Sequence, residues 1–328
     1  MIEIRVITYK RPKLLERALR SLIAQTHADW RAVVFDDSSD FESQAVVASL
    51  DDSRIEARCN PCNMGMVLNL SQAFSVKAFF PISTHACILE DDNAFEPGWL
   101  AENLKVMSRI KHAVMVRNYH VVDLMNDGSF TPNPEEPMRH LYGDSAREIP
   151  FDERIKEAFF NFTLGTSCYF WKLNAGVDLS YPGERLHGPV MEAGRALTFK
   201  QPCWYEPHPH SLFSRFINKS QTPRAETPAS TRQRRLAKVS EIEFTKHLCR
   251  AWKIEFKRSM NEIIESAMIR KRTEGLDALQ RLAEAGCWQA WQYLPNNRCR
   301  IAAAKALAVG LLYRRSLSAF NEKALVHS

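Results

Sequence analysis

Two short runs of carboxylates each follow an apolar stretch directly. Val33-Val34-Phe35 leads into Asp36-Asp37-Ser38-Ser39, and Cys87-Ile88-Leu89 leads into Glu90-Asp91-Asp92-Asn93. Carboxylates this close repel one another unless a cation or hydrogen-bond donors offset their charge. Hard oxygen donors suit Mg2+ or Mn2+, which typically bridge a few carboxylates to the phosphates of a substrate. Taken singly, either run reads as a helix cap or a solvated turn, where Asp and Asn are common. Taken together they fit a site better. In open α/β sheets ligands bind outside the carboxyl ends of the strands, so two such runs at equivalent ends face one cleft.

The elements that must carry these runs follow from periodicity. Ile4 to Tyr9 predicts a strand, with Arg5 inside it. Pro12 opens a helix whose apolar positions Leu15, Leu19, Leu22 and Ile23 share one face. Strands are expected at 31–35, 54–59, 86–89 and 113–117, with helices over 41–50, 64–78 and 97–110. Strands separated by helices of this length imply βαβ units and a mostly parallel sheet. Asn126-Asp127-Gly128 has hairpin-turn chemistry, so the order turns antiparallel or irregular beyond it. Residues 131–150, rich in Pro and charge, read as a loop over the sheet. The expected division is an α/β domain over 1–217, a linker over 218–236 and a helical region over 237–328, broken at Gly275, Gly286 and Pro295.

Composition sets the outer bounds. Of 328 residues, 45% are hydrophobic and 25% charged, which is ordinary for a soluble globular chain. No uncharged apolar stretch reaches the ~18 residues of a membrane span, and the N-terminus lacks signal-peptide anatomy. The eight cysteines are scattered, and Cys59-Asn60-Pro61-Cys62 has no second pair to complete a zinc site, so reduced thiols in a cytoplasmic setting are expected. Charge is divided unevenly. Residues 219–328 hold 21 Lys+Arg against 10 Asp+Glu, a net of +11, while 1–218 sum to −5. The basic half suits an anionic partner or a solvated helical surface. Its last segment, Arg298 to Leu317, sets Ile301, Leu307, Leu311 and Leu312 between basic ends. That pattern fits either a packing helix or peripheral contact with the inner face of an anionic membrane.

The ordered pieces resemble the family 2 glycosyltransferases of GT-A fold. They run Thr8-Tyr9-Lys10-Arg11, Ser21-Leu22-Ile23-Ala24-Gln25-Thr26, Asp36-Asp37-Ser38-Ser39, Asn63-Met64-Gly65 with Asn69, and Glu90-Asp91-Asp92-Asn93. The resemblance implies a metal-dependent, inverting transfer of a sugar from a UDP- or dTDP-linked donor to a hydroxyl acceptor, glycan or lipid-linked. It implies that Asp37 bonds the donor base beside Thr8 and Tyr9, and that Arg11, Asn69, Glu90 and Asp91 also line the donor site. Asp92 then coordinates Mn2+ or Mg2+, with His208 of Pro207-His208-Pro209-His210 as a second ligand or a phosphate contact. Glu192, with Glu184 as its competitor, takes the place of the base that deprotonates the acceptor. Two departures stand out: Ser38 replaces a common Gly, and Leu68 replaces a basic residue common before the Asn that Asn69 matches. Phosphate neutralisation then falls to Arg11, Lys13 or the metal.

Other classes lack their marks. The turn Thr8-Tyr9-Lys10-Arg11-Pro12 after the first strand is not the Gly-x-Gly-x-x-Gly of a nicotinamide enzyme, nor the Gly-rich loop of a nucleotidyltransferase. No P-loop occurs. An aspartyl phosphatase needs carboxylates two apart, yet Ser38 stands two after Asp36. No nucleic-acid-binding motif accompanies the basic half. The remaining alternative is a non-catalytic sugar-nucleotide binder or scaffold on the same fold.

Overall fold

The central strand is buried along its whole length on both faces, its charged residues Glu3 and Arg5 included. In the computed structural model, β1 (Ile2–Thr8) lies between β2 (Trp30–Asp36) and β4 (His85–Glu90), parallel to both, and β3 (Ile55–Cys59) lies outside β2. The structure describes residues 1–38, 40–125, 129–160, 165–180, 190, 193–195, 198–216, 231–270 and 272–308. It divides into two compact units, one of Met1–Phe151, Leu164–Glu184 and Leu197–Thr227, the other of Asp152–Thr163, Arg185–Ala196 and Pro228–Ser328.

In the first unit the sheet has eight strands in the order β3-β2-β1-β4-β10-β6-β11-β9. Here β6 is Val114–Arg117, β9 Arg147–Ile149, β10 Tyr169–Lys172 and β11 Cys203–Glu206. The sheet is mixed: β10 runs antiparallel to both β4 and β6, and β9 antiparallel to β11. A smaller sheet has the order β5-β12-β7-β8, with β5 at Ala94–Phe95, β7 at His120–Leu124, β8 at Phe130–Pro132 and β12 at Ser211–Phe216. The antiparallel pairing of β7 with β8 agrees with the expected change of order, although 126–128 themselves lie outside the described residues. Helix α1 (Pro12–Ile23) buries Leu15, Ala18, Leu19 and Leu22 in one cluster with Ile2, Ile4 and Val6 of β1.

Two expectations need correction here. The helix expected over 64–78 is shorter: α3 spans Met66–Ala73. Beyond it the backbone is drawn to a buried ion pair on β1, Arg5 Nε to Glu3 Oε1 at 2.7 Å. Arg5 donates to the carbonyls of Ala73 and Lys77, both at 2.8 Å, and Glu3 accepts from the N–H groups of Phe79 and Phe80 at 2.8 and 3.0 Å. Those bonds replace further helical ones. The loop expected over 131–150 holds α5 (Pro137–Tyr142) and the edge strand β9, which forms because Cys203 to Tyr205 of β11 present it with a partner.

The second unit is helical among its described residues. It contains α6 (Phe151–Phe160, of which Phe151 belongs to the first unit), α7 (Thr231–Glu255), α8 (Met260–Ile269), α9 (Arg272–Glu284), α10 (Trp288–Trp291) and a last helix over 297–308. Arg281 donates to the carbonyls of Phe159 and Phe160 at 2.8 and 3.1 Å, tying α9 to the last described residues of α6. Gly275 does not break the helical pattern as expected; it sits inside α9. A Cβ there would lie 1.9 Å from the carbonyl oxygen of Ala267, so the missing side chain is what lets α8 and α9 approach. Gly275→Ala is expected to lower stability by about 1–3 kcal/mol, the usual cost of overpacking. Thermal unfolding checks this, and an unchanged midpoint would show that the two helices part freely. In the last helix Ile301 is exposed, while Ala303 and Ala306 are buried; Leu311 and Leu312 lie outside the described residues.

Candidate active site

The strand order reverses at β1. The chain steps outward from β1 through β2 to β3, then returns to lay β4 on the other side of β1. Loops leaving β1 and β4 therefore diverge, and a crevice opens between them. The register sets the three strand ends level, with Thr8 opposite Asp36 and Ile7 opposite Glu90. A cleft of about 360 Å3 occupies this place. Thr8, Tyr9 and Arg11 line it from the β1 end, Asp37 from the β2 end, and Glu90, Asp91 and Asp92 from the β4 end. Asn63, Gly65, Met66 and Asn69 complete it from α3 and the loop before it.

Adjacent carboxylates take different tasks because a strand alternates its faces. Asp36 is buried and accepts from Ser38 N–H at 2.8 Å and from the hydroxyls of Ser38 and Ser43, so it is a structural anchor. Asp37 faces the cleft. Its Oδ1 accepts from Met64 N–H at 2.7 Å and Asn60 Nδ2 at 3.0 Å, and its Oδ2 from Gly65 N–H at 2.7 Å. Gly65 has φ +83°, a left-handed conformation that a glycine adopts without strain, and it turns its N–H toward Asp37. Asn69 donates to the Phe35 carbonyl at 3.2 Å and accepts from Asn60 and Gln72, tying α3 to the end of β2.

At the β4 end charge is concentrated. Asp91 accepts from Thr8 Oγ1 at 2.8 Å, and Arg11 Nη1 bridges Asp91 Oδ1 at 3.1 Å and Asp92 Oδ2 at 3.0 Å. Burial pushes the Asp91 carboxyl up to about 6; the Asp92 charge adds to that, and Arg11 and Thr8 oppose it. Asp92 is also raised, chiefly by burial, against the pull of Arg11. The loop itself is pinned from outside the carboxylates. Arg17 Nη2 donates to the Asp92 carbonyl at 2.8 Å, and the Ser214 hydroxyl donates to the same oxygen. Asn93 Oδ1 accepts from Ser214 N–H at 2.9 Å, and its Nδ2 donates to Glu90 Oε2 at 3.0 Å and to Ser167 Oγ at 3.1 Å.

Of the residues singled out in the sequence, Thr8, Tyr9, Arg11, Asp37, Asn69, Glu90, Asp91 and Asp92 thus share one cleft. His208 is exposed on the connection from β11 to β12; its carbonyl accepts from Arg117 Nη1 at 2.8 Å, and it is not among the residues lining the cleft. Glu192 and Glu184 lie outside the described residues. Arg17, Ser167 and Ser214 escaped the sequence reading because no motif marks them; each acts on the acidic loop from a distant point in the chain. No group of three His, Cys, Asp or Glu side chains among the described residues is placed to hold a metal. A magnesium-type site does not need one, since such ions are bound by one or two carboxylates plus substrate phosphates. The crowded, charge-deficient Asp91/Asp92 pair fits a cation of that kind.

An open, mixed α/β sheet with its acidic strand ends gathered at the switch point is the GT-A arrangement of a sugar transferase. The chain belongs to glycosyl transferase family 2, whose family model matches residues 4–168, half of its length, and it is a glycosyltransferase. Two solved structures share the fold over nearly the whole chain. One is S. aureus TarS 1-349 in complex with UDP-GlcNAc, at 15% identity and a TM-score of 0.54, covering 98% of this chain and 92% of that one. The other is the same TarS fragment in complex with UDP, at 14% identity and a TM-score of 0.50, covering 98% and 91%. Identity this low speaks for the fold alone. No curated protein matches the chain in sequence.

Proposed function

We propose that this chain moves a hexose-type residue from a UDP- or dTDP-linked donor to a hydroxyl acceptor, with inversion at the anomeric carbon. The observation that carries the proposal is the cleft at the switch point, where Asp37 stands at one strand end and Asp91, Asp92 and Arg11 gather at its neighbours. Asp37 keeps acceptor capacity beyond its three bonds, because a carboxylate offers about four lone-pair sites. It receives an N–H of the donor base, with Thr8 and Tyr9 against the ring. Arg11 meets the diphosphate. Asp92 holds Mn2+ or Mg2+ together with the donor phosphates, and the ion offsets charge on the departing nucleoside diphosphate; His208, outside the cleft lining, is left without a part in it. Glu192 takes the acceptor proton, a role that rests on family resemblance. The solved TarS complexes, with UDP and UDP-GlcNAc, support a uridine nucleotide as donor carrier. The setting is cytoplasmic, in glycan or glycoconjugate synthesis, and the basic C-terminal region meets an anionic membrane surface. No helix among the described residues is long and apolar enough to cross a membrane.

Calorimetric titration with UDP tests the base pocket. Asp37→Asn keeps the side-chain shape but sets an amide NH2 where an acceptor is needed. Affinity for UDP is expected to fall by about 1–3 kcal/mol, the worth of a charge-assisted hydrogen bond. Unchanged affinity in a folded variant would move the base elsewhere.

A further inference from the structure

One side chain carries the pairing of β1 with β2 a step past the ends of the strands. Just beyond the paired register, Asp37 N–H donates to the Thr8 carbonyl at 3.1 Å. Two residues further along the β1 side, Lys10 N–H donates instead to a side chain, the Ser38 hydroxyl, at 2.9 Å. We propose that Ser38 is a positioning residue for the donor base: its hydroxyl ties the buried Asp36 carboxylate to the strained backbone at Lys10, and so holds Tyr9 in place in the cleft. The premise is the donor-base pocket proposed above.

Three features support this role. The first is hydrogen-bond polarity. The Ser38 hydroxyl has one proton, which goes to Asp36 Oδ1, the same oxygen that accepts Ser38 N–H at 2.8 Å. Its lone pairs are left for a donor, and a backbone N–H can only donate. Asp36 is held in turn by the Ser43 hydroxyl, and Asp36 and Ser38 are both buried, so the relay starts from a fixed point.

The second is strain. Lys10 has φ +51°, in the left-handed region that disfavours a residue with a Cβ, and lysine is not among the types that tolerate it well. Such a conformation persists only where the surrounding structure holds it. The bond to Ser38 engages Lys10 at its own N–H, next to the strained torsion.

The third is placement. Tyr9 stands between two tied points, Thr8 on one side and Lys10 on the other, and it lines the cleft together with Asp37. The Lys10 ammonium also lies 5.6 Å from the centroid of the Tyr9 ring, within cation–π range. Release of φ at Lys10 re-aims the peptide that joins it to Tyr9, and the ring with it. A glycine, common in the family where Ser38 stands, has no hydroxyl, so this tie is not part of the common pattern.

Calorimetric titration with UDP across a double-mutant cycle tests this on the full chain. Ser38→Ala keeps the Cβ and removes only the hydroxyl. It is expected to fold, because Ser43 and the residue 38 N–H still satisfy Asp36, and to bind UDP about fivefold more weakly, as losing one hydrogen bond implies. Lys10→Gly lets the left-handed conformation form without strain, so in that background Ser38→Ala should cost less than about twofold. A serine that merely supports Asp36 would cost the same in both backgrounds. Equal losses in the two backgrounds, unchanged UDP affinity in Ser38→Ala, or a Ser38→Ala chain that does not fold would each overturn the positioning role while the wild-type donor site stands. A wild-type protein that does not bind UDP removes the donor-base pocket itself, and this proposal with it.

Discussion

Asp92→Asn is expected to abolish sugar transfer while making the metal-free protein more stable. The two effects share one cause. Burial raises the Asp91 and Asp92 pKa values, and the Asp92 charge adds to the shift of Asp91, so the folded state holds protons that the unfolded chain has already released. A carboxyl raised in this way costs stability as pH climbs from its unfolded value near 3.8 through its folded one, about 6 for Asp91, and the cost persists at neutral pH. Removing the Asp92 charge relieves it, and the neutral amide leaves the backbone bonds of the loop intact. Thermal unfolding at pH 7 should show a raised midpoint, and the gain should vanish toward pH 4. Turnover should fall by on the order of 10³ or more, since a cation at the leaving group contributes several kcal/mol. A folded Asp92→Asn protein with ordinary turnover would remove the metal from the account. One with a lowered midpoint would make Asp92 a structural residue.

The second large effect is expected at Glu192. Inverting transfer in a single displacement needs a base to take the acceptor proton as the new bond forms. Glu192→Gln keeps the volume and removes the basicity. Turnover should drop by on the order of 10²–10⁴, the usual worth of a positioned general base, with affinity for the donor nearly unchanged. The split between catalysis and donor binding is the readout that matters, because a merely structural glutamate would disturb both or neither. If Glu184→Gln shows the split and Glu192→Gln does not, the base lies eight positions earlier in the chain.

What the sequence revealed of this fold was local in origin. Leu15, Leu19 and Leu22 recur at helical spacing, and Ile2 to Thr8 form a strand buried on both faces, so α1 and β1 could be read directly. The acidic runs were legible because each follows an apolar strand without a gap. The features missed depend on partners far along the chain. The early end of α3 is caused by Glu3 and Arg5, about 70 residues earlier, which bond the backbone over 73–80. The insertion of β10 between β4 and β6 leaves no periodic mark, because Tyr169–Lys172 is only four residues long. Gly275 looked like a helix breaker, and only the approach of Ala267 shows why a glycine belongs inside α9. At the site itself residue types were legible and assignments were not. Asp36 and Asp37 are chemically alike, and only the fold shows that Ser38 and Ser43 engage the first while the second faces the cleft.

The central claim is that the cleft between β1 and β4 breaks the bond between a sugar and a nucleoside diphosphate. Its most direct test is release of nucleoside diphosphate by the purified chain across a panel of UDP- and dTDP-sugars, with Mn2+ or Mg2+ and again with excess chelator. Slow release from at least one donor is expected even without an acceptor, abolished by chelator and by Asp92→Asn. A chain that binds UDP-sugars in calorimetry yet releases nothing from any donor under any condition would contradict it.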